Sequence, residues 1–295
     1  MKRALLSTFV ALAACITVAA QDAASVAMDF SAMPRSAGAL AQGGLNFLET
    51  AGSRLTAGRD FSARIDFAKW KSASPTTNFN ADIYKALGEK FAVGLVFSSG
   101  KGEPYENYTG LGVSSGTFTP KDLLIGAGFA MKTDPVVVEI AGSFLSRALA
   151  PEKKITALSV DILASASLFD DNLAVTGGLM GLGTTVESSS GDKYHIPLAI
   201  TAGGKYSLPF GLGVGTQIDY YIFGGGLRAG FGAEYDFKDM VFVRAGYNFG
   251  GHTFLPSYLS AGLGIKYAGV GFDLAYLLAS ETLGGSLMAG LSYAF

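Results

Sequence analysis

The stretch Phe61-Ser62-Ala63-Arg64-Ile65-Asp66-Phe67 alternates between apolar and polar side chains. Because successive side chains of a β-strand point to opposite faces, this stretch predicts a strand with one apolar face and one polar face. The stretch Asn78-Phe79-Asn80-Ala81-Asp82-Ile83-Tyr84 repeats the pattern, and residues 241–247 continue it. Strands of this kind lie between an apolar and a polar environment.

The same alternation along the chain predicts about fourteen strands. Their approximate centres are Arg64, Ala81, Leu95, Gly126, Ile140, Val160, Thr176, Ala199, Gln217, Gly232, Val243, Gly264, Asp273 and Gly290. Every second connection is short and carries the Gly, Pro, Asn or Asp that a tight turn needs. These short turns are 87–90, 132–135, 170–172, 208–211, 238–239 and 268–269.

The other connections are mostly longer and more polar. They are 100–117, 147–154, 187–193, 250–256, 279–284 and, as a short exception, 224–226. Short turns on one side and long loops on the other are typical of outer-membrane barrels. We therefore predict an all-β fold, a transmembrane antiparallel up-and-down β-barrel of about fourteen strands. An even strand number predicts both termini on the short-turn, periplasmic side.

The composition agrees with a membrane barrel. The chain has 40 Gly, 21 Phe and 13 Tyr, and only 16% of its residues are charged, against roughly 25% in soluble proteins. Mean hydropathy is +0.34, yet no sufficiently long apolar run for a helical span follows residue 20. A closed barrel is the remaining way to cross a bilayer. The formal net charge of −2 does not suggest a nucleic-acid partner.

Residues 1–20 are predicted to be an export signal. A basic start and an apolar stretch precede Val18-Ala19-Ala20, which fits cleavage after small residues. A second interpretation stays open, because Leu12-Ala13-Ala14-Cys15 resembles a lipobox in which Cys15 would become a lipidated N-terminus. On the first interpretation the exported chain has no cysteine and therefore no disulfide or thiolate chemistry.

Residues 21–52 form a predicted second part that precedes the barrel at 53–295. This part lacks the strand pattern and is rich in small residues, and Gly43 and Gly44 allow backbone conformations closed to other residues. We expect it to enter the lumen as a plug-like segment or to line the periplasmic mouth, with a disordered periplasmic leader as the alternative. Arg35 is a predicted partner for a carboxylate on the barrel wall.

Five charged side chains on the predicted strands could face the lumen. They are Arg64, Asp66, Asp82, Glu234 and Arg244. Either they pair with one another or with the plug, or they line a polar transport path. Because a plugged barrel of fourteen strands has limited free width, we favour pairing.

The sequence shows no constellation for catalysis. His195 and His252 are too few and too far apart along the chain for a histidine metal site. The glycine pairs lack a phosphate-loop context. We therefore predict no enzyme, no cofactor and no metal, and keep a lipid-modifying outer-membrane enzyme as a remote alternative.

The end of the chain, Leu287–Phe295, resembles the C-terminal recognition signal of bacterial outer-membrane barrels. The resemblance rests on Gly290, Tyr293 and the final Phe295, and the two aromatic residues share one face. It implies contact with the barrel-assembly machinery and with lipid of the cell outer membrane. We expect this strand to close the barrel beside the first strand, around Arg64.

Two regions resemble the PorV/PorQ family, FadL-like fourteen-stranded outer-membrane barrels of Bacteroidota. They are Pro34–Gly44 and the strands from Val243 to Phe295, although Leu45–Thr50 replaces the Asn-Pro-Ala motif of that family. The resemblance implies a non-catalytic component of type IX secretion or surface attachment, with a secretion translocon or cargo proteins as partners. The alternative is a FadL-like channel for hydrophobic small molecules.

Overall fold

The computed structural model describes most of the chain after residue 25. The described ranges are 26–72, 74–108, 112–151, 153–187, 191, 193–223, 226–250, 256–280 and 282–295. The predicted signal peptide, Cys15 and His252 therefore lie outside the described residues.

Four short helical segments precede the strands. They are a 3-10 turn at Asp29–Ala32, helix α1 at Ala37–Ala41, a 3-10 turn at Asn46–Glu49, and helix α2 at Ala51–Thr56. None of the helices in the described ranges is long or apolar enough to cross a membrane.

The strands follow from Phe61 to the end of the chain. They are β1 (Phe61–Trp70), β2 (Thr76–Leu87), β3 (Phe91–Gly102), β4 (Tyr105–Tyr108), β5 (Ser114–Phe118), β6 (Lys121–Lys132), β7 (Val136–Ala150), β8 (Lys153–Leu168), β9 (Leu173–Gly183), β10 (Val186–Glu187), β11 (Lys193–Tyr194), β12 (Ala199–Ser207), β13 (Leu212–Tyr221), β14 (Gly226–Phe237), β15 (Val241–Phe249), β16 (Tyr258–Tyr267), β17 (Val270–Ala279) and β18 (Leu287–Ala294).

Fourteen of these strands form one closed antiparallel barrel. Each pairs with its neighbours in the chain, and β18 pairs with β1, while β4–β5 and β10–β11 are two small separate hairpins. All fourteen predicted strand centres fall within the barrel strands. The predicted fold is confirmed.

The last strand closes the barrel as expected. In the β1–β18 register Arg64 lies opposite Ser292, and the backbones of Phe61 and Phe295 exchange hydrogen bonds in both directions. The rings of these two phenylalanines stack with their centroids 5.3 Å apart. Leu291, Tyr293 and Phe295 share the outer face, where each is about half exposed.

The two faces of the barrel wall differ as the alternation predicts. The outward side chains are large and apolar. Among them, Phe67 and Leu95 are each 56% exposed, whereas the inward Asp66 is 3% exposed. An outer surface of exposed apolar side chains is what a lipid-facing barrel requires. The polar side chains are turned inward, where they meet the N-terminal part of the chain.

The two ends of the barrel are unequal. The six short turns, the start of β1 and the end of β18 lie at one end, which we call the turn rim. The other connections, with both small hairpins, lie at the opposite end, which we call the loop rim. All six predicted short turns are confirmed.

Two predicted boundaries are wrong. The predicted loop at 147–154 is mostly strand, because β7 runs to Ala150 and β8 begins at Lys153. The charged residues there had suggested a loop, but Arg147 pairs with Asp122 on the neighbouring strand and stays in the sheet. The barrel begins at Phe61 and not at 53, because α2 continues the preceding segment.

Candidate functional site

Residues 26–56, which we call the lumenal segment, pass through the barrel from one rim to the other. At the loop rim, the Ala27 amide donates to the carbonyl of His195 (2.8 Å), and Met28 is fully buried in an apolar cluster with Leu124 and Leu145. At its other end, α2 leads towards Phe61 at the turn rim. Residue 26 thus lies at the loop rim and the segment crosses the lumen before β1 begins, while the predicted periplasmic location of the N-terminus concerns residues outside the described ranges.

Gly43 and Gly44 lie where the lumenal segment presses against β14 and β15. Both have left-handed backbone angles, with φ of 69° and 80°. A Cβ atom on Gly43 would stand 2.6 Å from the carbonyl oxygens of Phe231 and Tyr247, which is closer than such atoms approach. Glycine is therefore required by both the backbone angle and the packing.

Two wall carboxylates bind the N-terminal ends of the two helices. Asp66 accepts from the Ala37 amide at 2.8 Å, at the start of α1. Glu139 accepts from the Gly52 amide at 2.7 Å, at the start of α2. Unpaired amides at a helix start need acceptors, and negative charge is favourable there. The wall thus supplies caps that hold both helices in place.

Arg64 is the centre of an ion-pair cluster between the wall and the lumenal segment. It lies against Glu49 of the segment and against the wall carboxylates of Asp66 (3.1 Å) and Asp82 (2.6 Å). Arg54 of α2 also contacts Asp82, at 2.6 Å. The structure thus brings three of the predicted residues together, and pairs them with the segment.

Arg228 forms a second, fully buried cluster on the opposite wall. Its guanidinium pairs with Asp219, its direct cross-strand partner, and donates to Asn248 at 2.7 Å. It also donates to the backbone carbonyls of Gly43 and Gly44. A buried arginine needs a paired charge and several acceptors, and this site supplies both.

Arg244 belongs to a network within the wall. It pairs with Glu234 at 2.6 Å and with Asp273, and Glu234 also accepts from Lys205 at 2.7 Å. No described residue of the lumenal segment forms an ion pair with this network. Of the predicted charged residues, Arg244 is thus placed apart from the Arg64 cluster.

Arg35 lies beside the cavity, where its charge acts on the wall carboxylates of Asp82 and Asp161 without a direct ion pair. Its backbone carbonyl accepts from Asn80 at 3.0 Å, and within the described ranges its guanidinium forms no ion pair. The arginine that crosses from the segment to Asp82 is Arg54. The location of Arg54 on α2 brings its side chain to Asp82, which the sequence pattern did not indicate.

A cavity of about 120 Å³ remains between the lumenal segment and the wall of β2, β3, β6–β9, β12 and β13. Its lining is mixed, with Leu124, Leu145 and Leu163 beside Arg35 and Asp161. The Asn46 side-chain oxygen and the Tyr84 hydroxyl are among the buried polar atoms that have no hydrogen-bond partner in the described ranges. Asn46 and Tyr84 both belong to the lining. The site can therefore hold a small molecule that combines apolar surface with a polar group.

The histidines take no part in this cavity as far as the structure describes them. His195 lies at the loop rim and stacks on Phe223 with ring centroids 3.8 Å apart. In the described ranges, no group of three His, Cys, Asp or Glu side chains is arranged to hold a metal ion.

Sequence reasoning missed several residues that hold the segment, namely Glu49, Arg54, Glu139, Gln217 and Arg228. One signal was available, because Glu139 is a single acid within the apolar run Val136–Ile140. A lone charge in such a run has to find a buried partner. Glu49 and Arg54 had no comparable signal, since their partners are set by the path of the segment.

The class of protein defined by these features is a fourteen-stranded membrane barrel whose lumen is filled by its own N-terminal segment. Solved structures share this fold. The Pseudomonas putida toluene transporter TodX has a TM-score of 0.60 at 12% identity, over 89% of this chain and 98% of that chain. The Ralstonia pickettii toluene transporter TbuX has a TM-score of 0.58 at 13% identity, over 90% of this chain and 99% of that chain. The monoaromatic hydrocarbon channel CymD has a TM-score of 0.61 at 11% identity, over 91% of this chain and 98% of that chain.

These likenesses establish the fold of the chain as that of FadL-like barrels. The chain matches no protein-family model and no curated protein. The FadL-like part of the predicted resemblance is thus supported at the level of the fold, whereas no comparison confirms the PorV/PorQ assignment.

Proposed function

We propose that this protein is an outer-membrane channel for small hydrophobic molecules, in which the lumenal segment acts as a hatch. The single observation that carries the proposal is the cavity of about 120 Å³ between segment and wall. Buried cavities of about 150 Å³ accommodate a benzene ring. The structures with the same fold are described as toluene transporters and a monoaromatic hydrocarbon channel, which supports the same size class.

The polar part of the cavity refines the proposed substrate. Asn46 and Tyr84 each offer an unpartnered polar atom beside the leucine side chains. A buried polar atom without a partner is costly, and a ligand hydroxyl would satisfy it. We therefore expect monoaromatic molecules with a hydroxyl group to bind at least as well as plain hydrocarbons.

Uptake by cells that lack other hydrocarbon channels tests the proposal. Expression of the chain should raise uptake of labelled toluene and phenol but not of glucose. Ala141→Phe, which fills the cavity from its lining, should return uptake to background. The matched control Val138→Phe changes a lipid-facing position of the same strand and should leave uptake unchanged. Equal uptake with and without the chain would rule out the channel.

A role in protein secretion or surface attachment is the second proposal. It is favoured by the resemblance of Pro34–Gly44 and of the strands after Val243 to the PorV/PorQ family. Deletion of the gene, followed by analysis of secreted and surface proteins, tests it directly. Unchanged cargo location in the deletion strain would remove this proposal and leave the channel untouched.

A further inference from the structure

Four lysines lie in one row across the outer surface of the barrel near the loop rim. The row runs over six neighbouring strands, β1, β2, β3, β6, β7 and β8. Each member is the direct cross-strand partner of the next, in the order Lys69, Thr77, Lys101, Lys121, Ala148 and Lys154. Direct partners in an antiparallel sheet point to the same face, so the whole row shares one face.

That face is the lipid-facing one, at the edge of its apolar band. Lys69 lies two positions after Phe67, and Lys101 lies six positions after Leu95, so each lysine points to the same face as its apolar neighbour. Phe67 and Leu95 are each 56% exposed on that face. Lys121 and Lys154 are likewise exposed. A shift of two residues along a strand is about 6.6 Å. The ammonium groups therefore lie just beyond the apolar band, at the depth of lipid headgroups.

The four lysines of the row form no ion pair with any side chain in the described ranges. Lys101 and Lys121 are directly opposite each other, and like charges in such a pair destabilise a sheet. Glu106 on the β4–β5 hairpin binds the Tyr108 hydroxyl and not a lysine of the row. An external anion between the lysines would remove this repulsion.

The described residues of the turn rim form no comparable row. Its lysines alternate with acids, as in Glu89-Lys90 and Lys238-Asp239, and Lys132 lies 3.8 Å from Asp134. Beyond Lys69 the row itself continues into Leu287 and Tyr276, which are uncharged. Among the described residues, the row of lysines without ion pairs is thus confined to one rim and to one side of the barrel.

We propose that this row binds the phosphate groups of lipids in the leaflet on the loop side. The inference rests on the proposed location in the outer membrane. Neighbouring strands are about 4.8 Å apart, so the row spans about 24 Å, enough for several headgroups. Lysines beside an anionic lipid surface are each favourable by about 1 kcal/mol. The expected ligand is a phosphorylated glycolipid of the outer leaflet, seated flat against β1–β8.

The test compares two quadruple variants of the full chain. The row variant carries Lys69→Gln, Lys101→Gln, Lys121→Gln and Lys154→Gln. The matched control carries Lys85→Gln, Lys90→Gln, Lys132→Gln and Lys238→Gln at the turn rim. Both remove four positive charges and keep long polar side chains. Heat-modifiable migration verifies that each is folded, and the half variants K69Q/K101Q and K121Q/K154Q carry the test if the row variant fails to fold.

The proteins are equilibrated in neutral detergent with diphosphoryl lipid A or with the same lipid after removal of its phosphates. Native mass spectrometry then counts the lipids retained. Wild type and control should retain the phosphorylated lipid, and the row variant should retain at least about tenfold less. Equal retention by all three proteins, or an equal loss in both variants, would overturn the proposal.

Two further arms separate related explanations. If inorganic phosphate at equal concentration displaces the lipid completely, the row binds soluble anions and the lipid assignment is wrong. If the dephosphorylated lipid is retained equally well, the phosphates are not recognised. Toluene uptake measured on the row variant is expected to stay at the wild-type level. A failed uptake assay in wild type would affect the channel proposal alone, since lipid retention is measured without transport.

Discussion

At the residue scale, Gly43 is a position where the lumenal segment has no room for a side chain. Gly43→Ala should lower the free energy of unfolding by about 2 kcal/mol or more, since the new Cβ would meet two wall carbonyls and the backbone angle is left-handed. Urea titration in lipid vesicles measures this. The control Gly38→Ala lies in α1, where a Cβ would stand 3.9 Å from the Ser36 hydroxyl oxygen, an ordinary contact, and should be neutral or stabilising by up to about 1 kcal/mol. Equal effects of the two changes would contradict the close packing of Gly43.

Arg228 permits a second prediction at this scale. Arg228→Gln leaves Asp219 as a buried charge without its partner, which should cost about 3–5 kcal/mol. The same titration should show that Arg228→Gln with Asp219→Asn recovers a large part of that loss, because no lone charge remains. A double variant as unstable as the single one would mean that the carbonyls of Gly43 and Gly44 are the essential partners of Arg228.

At the element scale, the contact between Glu139 of the barrel wall and the start of α2 can be weakened selectively. Glu139→Gln removes the negative charge at the start of this helix, which should destabilise its docking by about 1 kcal/mol. Hydrogen exchange of the amides in Ala51–Thr56 should accelerate about fivefold, since each 1.4 kcal/mol is a factor of ten in population. Glu89→Gln, in a turn-rim hairpin, is the control and should leave these amides unchanged. Unaltered exchange in Glu139→Gln would show that α2 is held by its apolar contacts alone.

Turns and strand centres are the elements that the sequence predicts best. The turn at 87–90 and the strand around Leu95 depend on local features, namely turn residues and alternation, so the structure repeats them. The lumenal segment depends on distant partners instead. Asn46–Glu49 and Ala51–Thr56 have no local pattern that specifies their path, because Gln217 and Glu139 on remote strands bind their backbones. For the same reason, no local pattern indicates that Arg54 pairs with Asp82.

At the scale of the whole molecule, the barrel and the segment inside it are separable. The wall closes through hydrogen bonds between β1 and β18, none of which involves the lumenal segment. Deletion of residues 26–56 should therefore leave a barrel that still shows heat-modifiable migration but conducts ions in planar bilayers at a higher level than wild type. Deletion of the β4–β5 hairpin, 104–118, is the control and should leave conductance unchanged. Persistently low conductance after the first deletion would mean that the wall side chains close the lumen by themselves.

The path of the lumenal segment places the two ends of one short stretch of chain at opposite rims of the barrel. Val26 lies beside His195 at the loop rim, and Gly58, with open space around it, lies near the turn rim just before Phe61. In a membrane with the loops outside, an antibody epitope inserted before Val26 would be read from the cell exterior. A label on residue 58 would be read from the periplasm. The 33 residues from Val26 to Gly58 thus connect the two sides of the barrel by one continuous stretch of backbone.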